Sequence, residues 1–97
     1  MQIHVLPDPV GTPDDTYRYV DRAIAEIARS GLTYEVGALG TTVEGPADAV
    51  WDLARRVHDA TKDETTRRVM TLIKVYEQPD GDTSMTALTA PHRPTGT

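Results

Sequence analysis

Residues 1–77 predict an α+β sandwich, a four-stranded antiparallel sheet carrying two helices on one face. Three observations lead there. Short runs alternate apolar and polar residues, as strands do. Two longer runs repeat apolar residues at helical spacing. These segments fall in the order β-α-β-β-α-β, the ferredoxin-like split βαβ unit.

The first run, QIHVL at residues 2–6, alternates Ile3 and Val5 with Gln2 and His4. Pro7 is expected to end it near Leu6, because proline cannot donate to a ladder. Thr12-Pro13-Asp14-Asp15 follows and resembles a helix start. Thr12 would be the N-cap, Pro13 the first helical residue, and the two aspartates would face the positive dipole end. Val20, Ala23, Ile24, Ile27 and Ala28 continue at helical spacing, and Gly31 suits the position after the last turn, so residues 13–30 predict a helix.

Residues 32–39 alternate again as a strand, Gly40 can supply a turn, and residues 41–44 predict a strand paired back as a hairpin. Gly45 as N-cap and Pro46 at the first helical position open a second helix over residues 46–61, with Val50, Leu53, Ala54 and Val57 inward. Trp51 reads as a partly buried packing residue. Residues 68–76, RVMTLIKVY, put apolar groups on both strand faces, which predicts cover on both sides. One face would be helix-covered. The other offers Met70, Leu72, Tyr76 and Leu39, for which a second copy of the sheet is the economical cover.

The chain has 97 residues, enough for one small domain. From Gln78 the residues are mainly Pro, Asp, Gly, Thr and Ser, so residues 78–97 are expected to form a flexible tail, with room for a short element at 84–90. The cysteine count is 0, which excludes disulfides and thiolate zinc and fits a reducing cytoplasm. No apolar run nears the roughly 20 residues of a membrane span, and no signal peptide is expected. A net charge of −5 without a basic stripe argues against nucleic acid and is compatible with a cationic ligand. His4, His58 and His92 share no ligand spacing, so no metal site is expected. No nucleotide-binding or nucleophile motif is present, and no acid/base pair stands out, so an enzyme is the weakest reading.

GTTVEG at residues 40–45 is the most informative stretch. With Val43 facing the helices, Thr42 and Glu44 would stand together on the open face. A desolvated carboxylate there needs a donor or a cation. The flanking glycines would let a flat ligand approach the backbone. The plainer alternative is a solvated strand-end glutamate. The loop PDPVGT at residues 7–12 is a second candidate wall, through its backbone and the Thr12 hydroxyl; its plainer role is a stiff lead into the first helix.

IHVLPDPVGT, YRYVDRAIAEIARSGLTYEVGALGTTVEG and VMTLIKVY together resemble the thiamine-binding protein family over residues 2–77. The matching features are the Pro7 to Thr12 loop, Tyr19-Val20, Ser30 to Glu35, and Gly40 to Gly45. The resemblance implies a non-catalytic protein without a cofactor that binds thiamine or its hydroxymethyl-pyrimidine part. It also implies a homodimer, often paired into a tetramer. Carried over by position, the expected ligand-binding residues are Thr42 and Glu44, then Thr41, Gly11 and Thr12. The alternative is an oligomeric interaction module whose open sheet face holds no ligand. Glu44 separates the two, because an interface alone favours larger apolar groups there.

Overall fold

A computed structural model describes residues 1–78 and 84–92. Its elements are β1 (Gln2–Asp8), α1 (Arg18–Arg29), β2 (Thr33–Gly37), β3 (Gly40–Glu44), α2 (Ala47–Ala60), β4 (Arg68–Lys74) and α3 (Met85–Thr89), the last followed by a 3-10 turn at Ala90–His92. The strands lie in the order β2-β3-β1-β4, every neighbouring pair antiparallel. This is the expected α+β ferredoxin-like sheet.

Several boundaries differ from the expectation for physical reasons. β1 continues through Pro7 to Asp8, paired with β4 as far as Asp8↔Arg68. Its pairing with β3 stops at Ile3↔Thr41, so beyond His4 that side of β1 is a free edge, the setting in which a strand proline is tolerated. α1 starts at Arg18, not at Pro13. Thr12 instead closes a tight loop: its N–H donates to Asp15 O at 2.9 Å, and Asp15 N donates to Thr12 O at 3.1 Å and Thr12 Oγ1 at 3.2 Å. Gly11 permits this fold-back, since a Cβ there would stand 2.2 Å from Thr16 O. The turn of the β2–β3 hairpin is Ala38-Leu39, and Gly40 already pairs with Gly37.

α2 begins at Ala47, so its N-cap is Pro46 rather than Gly45. Gly45 lies against the Leu32 side chain, where an added Cβ would stand 2.8 Å from Cδ2 and push that methyl aside. The core lies between the sheet and the two helices and gathers Ile3, Ala23, Ile27, Val43, Leu53, Ala54 and Val57. The α2 stripe is as expected. On α1 the buried residues are Tyr19, Ala23 and Ile27, while Ala28 is exposed. Tyr19 is held by its hydroxyl, which hydrogen-bonds Thr65, and the Arg22 guanidinium lies over its ring at 5.3 Å.

β4 is an edge strand, and the expectation of cover on both faces does not hold within one chain. Ile73 on the helix side is 43% exposed, and Met70 and Leu72 on the other side are 61% and 53% exposed. Leu6, opposite Met70 in the register, extends the same uncovered face. The part of the tail that is described, residues 84–92, is helical from Met85, at the place where a short element was allowed. The expectation of flexibility elsewhere in the tail falls on residues 79–83 and 93–97, outside the described residues.

The loop before β4 carries the clearest acid sensitivity. Asp63 Oδ1 accepts from Thr65 N at 2.8 Å and Thr65 Oγ1 at 2.7 Å, and Arg22 reaches Oδ2 at 3.2 Å. The Thr65 hydroxyl and backbone bonds hold this carboxyl well below its usual range. Asp8 is held down in the same direction by hydrogen bonds from Arg67 and Arg68. A carboxyl whose folded pKa is depressed stabilises the fold above its unfolded pKa, and that contribution is lost as pH falls toward the folded value. Stability is therefore expected to fall as pH drops below the ordinary aspartate value of 3.8. Urea midpoints at pH 7 and pH 3 should differ less in Asp63→Asn than in the parent; an equal difference would remove Asp63 as a cause.

Candidate functional site

The end of β3, the start of α2 and the end of β4 enclose a cleft of about 510 Å3. Thr42 and Glu44 come from β3, where alternation turns both away from the buried Thr41 and Val43. Gln2 of β1 sits opposite Thr42 in the register and opposite Lys74 on its other side, and all three line the cleft. Pro46 turns the chain into α2, whose first turns add Val50 and Trp51. Tyr76, Glu77 and Gln78 follow β4 along the rim, and Met85 and Leu88 of α3 close one side.

The electrostatics are mixed. Glu44 and Glu77 bring acid, Lys74 brings base, and the Met1 α-amine donates to Val43 O at 2.7 Å. Burial lowers the pKa of that amine, and the Glu44 charge works against the lowering. Glu44 Oε2 accepts a 2.6 Å hydrogen bond from Met85 N. A carboxylate has about four acceptor positions, so this bond leaves Glu44 further capacity. Trp51, 54% exposed, and Tyr76, 63% exposed, offer aromatic surface to the same space. Among the described residues, no histidine or serine lines this cleft, and no three His, Asp or Glu side chains are grouped to hold a metal. The arrangement brings a carboxylate, a hydroxyl and two aromatic side chains to one space, groups suited to a small flat molecule.

The five expected site residues do not converge. Thr42 and Glu44 share the cleft. Thr41 is buried on the opposite side of β3 and lines a second, mostly apolar cleft of about 290 Å3 with Val20, Ile24 and Val36. Gly11 and Thr12 follow the far end of β1, a strand of 7 residues that extends about 20 Å from Gln2. They line neither cleft.

Trp51, Tyr76 and Met85 line the same cleft as Thr42 and Glu44 and are not among the expected site residues. Trp51 had a legible sign, since it adjoins Val50 at the margin of the buried α2 stripe. Met85 had none, because its approach depends on the path of the tail.

The family model described as "Thiamine-binding protein" matches residues 1–92, extending the likeness past β4 through α3. A UPF0045 protein of Clostridium perfringens is 30% identical over 67 residues, covering 69% of this chain and 70% of that protein. The structure of a domain of unknown function, DUF77, from Bacillus cereus superposes with a TM-score of 0.82 at 33% identity, covering 95% of this chain and 86% of that one. A Thermotoga maritima protein, provisionally assigned to thiamine biosynthesis or salvage, has a TM-score of 0.76 at 24% identity and covers 95% of both chains. At that identity the likeness concerns the fold. Among the described residues, no helix is long and apolar enough to cross a membrane.

Proposed function

The chain belongs to the thiamine-binding protein family, and from that premise we propose that it is a non-catalytic cytoplasmic binding protein for thiamine or its hydroxymethyl-pyrimidine part. The observation that carries the reading is Glu44, half-buried beside Thr42 in a cleft with exposed Trp51 and Tyr76. Thiamine is a cation with a flat aminopyrimidine. The carboxylate suits the charge and the amino group, and the hydroxyl of Thr42 suits a ring nitrogen. Aromatic faces suit a flat cation. The cleft volume is within the range of small-molecule pockets.

The second reading is an oligomeric module without a ligand. The uncovered sheet face of Leu6, Met70 and Leu72 favours self-association, which by itself is compatible with either reading. We propose a homodimer built on that face, which can pair further into a tetramer.

Calorimetric titration of thiamine, then hydroxymethyl-pyrimidine, tests the proposal. Trp51 is the chain's only tryptophan, so its fluorescence should report the same event. Saturable micromolar binding with a change in that fluorescence is expected. Sedimentation of the same sample should give at least a dimer. A dimer with no heat from either compound would leave the interaction module as the function.

A further inference from the structure

The group assigned to ligand recognition is already in use. Glu44 Oε2 is bonded to Met85 N, and the Met85 and Leu88 side chains lie along the cleft that Glu44 shares with Thr42. We propose that residues 84–92 are a built-in competitor for this cleft, latched through the Glu44 carboxylate, which a ligand must displace to engage that carboxylate fully. The proposal rests on the assignment of Glu44 to ligand recognition.

Two features make the segment a displaceable occupant rather than a fixed wall. Its turn is self-contained: the Ser84 side chain accepts from Ala87 N at 3.1 Å, and Leu88 N donates to Ser84 O at 3.0 Å. Glu44 is therefore not needed to form the turn, only to dock it. The docking is also slight. Ser84 and Met85 are half-buried, whereas every residue from Thr86 to His92 is exposed. A helix of 5 residues has little stability of its own, and its described ties to the cleft are the Glu44 bond and the Met85 and Leu88 side chains along it. A cationic ligand offers the carboxylate a stronger partner than a neutral amide.

Met85 allows a clean test. It is the first residue of α3, a position that accepts proline, and Ser84 before it has φ −60° and ψ 153°, the extended backbone that proline requires of its neighbour. Met85→Pro in the full chain removes the N–H that Glu44 accepts, and Met85→Ala keeps it. Titrated with thiamine, Met85→Pro should bind about threefold to tenfold more tightly than the parent, as loss of one part-exposed charge-assisted bond implies. Met85→Ala should gain less. Equal or weaker binding by Met85→Pro would overturn the proposal and make the segment a wall of the site. If neither parent nor variants bind thiamine, the ligand assignment fails by itself, and the latch is judged without ligand. The Met85 amide proton resonance should then move upfield in Glu44→Gln if the carboxylate holds it; an unmoved resonance removes the latch as well.

Discussion

Glu44→Gln is expected to weaken thiamine binding by about tenfold, and Glu44→Ala by more. The amide keeps the size of the side chain and one acceptor oxygen but loses the charge. A hydrogen bond to a charged group contributes about 1.5–3 kcal/mol, against about 0.5–1.5 kcal/mol for a neutral one, and the difference corresponds to roughly tenfold. Two effects oppose each other in this variant. It loses attraction for the cation, and it loosens the Met85 contact that competes for the same oxygen. Combining it with Met85→Pro separates them, because the proline has already removed the competitor. In that background the full cost of the missing charge should appear. Calorimetry of the four proteins gives the cycle, and thermal unfolding checks that the fold is intact. Unchanged affinity in both backgrounds would place recognition elsewhere than at the carboxylate.

Leu53→Ala carries the largest expected cost to stability, about 2–5 kcal/mol. Leu53 is fully buried, on α2 between Val50 and Val57, in a core of few large side chains. Its neighbours include small Ala23 and Ala54, which cannot extend into the space it leaves. A domain of this size has only about 5–15 kcal/mol in total, so the variant should be near its folding limit. Its thermal midpoint should fall by about 10 °C or more. Leu72→Ala, on the uncovered face, should cost far less in a monomer. A comparable loss there would mean that the face is buried against a second copy under the conditions used.

The sheet and both helices were legible because each element had its own periodicity. Val50, Leu53, Ala54 and Val57 specify the buried face of α2 without help from the rest of the chain. The start of α1 was misread for an equally local reason. Thr12-Pro13-Asp14-Asp15 has the chemistry of a helix cap, yet the same hydroxyl and carbonyl can close a tight loop. The choice depended on the contact of Gly11 with Asp15 and Thr16, which no local pattern reveals. Thr42 and Glu44 were found together because strand alternation fixes which neighbours share a face. Gly11 and Thr12 came from the loop after β1, read as a candidate wall and supported by the family resemblance, and the length of β1 separates them from the cleft. Met85 was invisible because its role comes from a backbone N–H, which every residue but proline possesses.

The seam between β1 and β3 is short. It comprises Gln2↔Thr42 and Ile3↔Thr41, with the Met1 amine and carbonyl bonded to Val43 O and N at 2.7 Å beyond them. The β1–β4 ladder, by contrast, runs through seven residue pairs. The molecule is thus divided mechanically into a β1–β4 frame and a hairpin hung from it by three residues on each side. Thr42 belongs to that suspension, and Glu44 follows at its end. A ligand that bridges Glu44 to Gln2 or Lys74 would fasten the hairpin to the frame, so occupancy would be felt at Leu39, the hairpin tip, as lost freedom of motion.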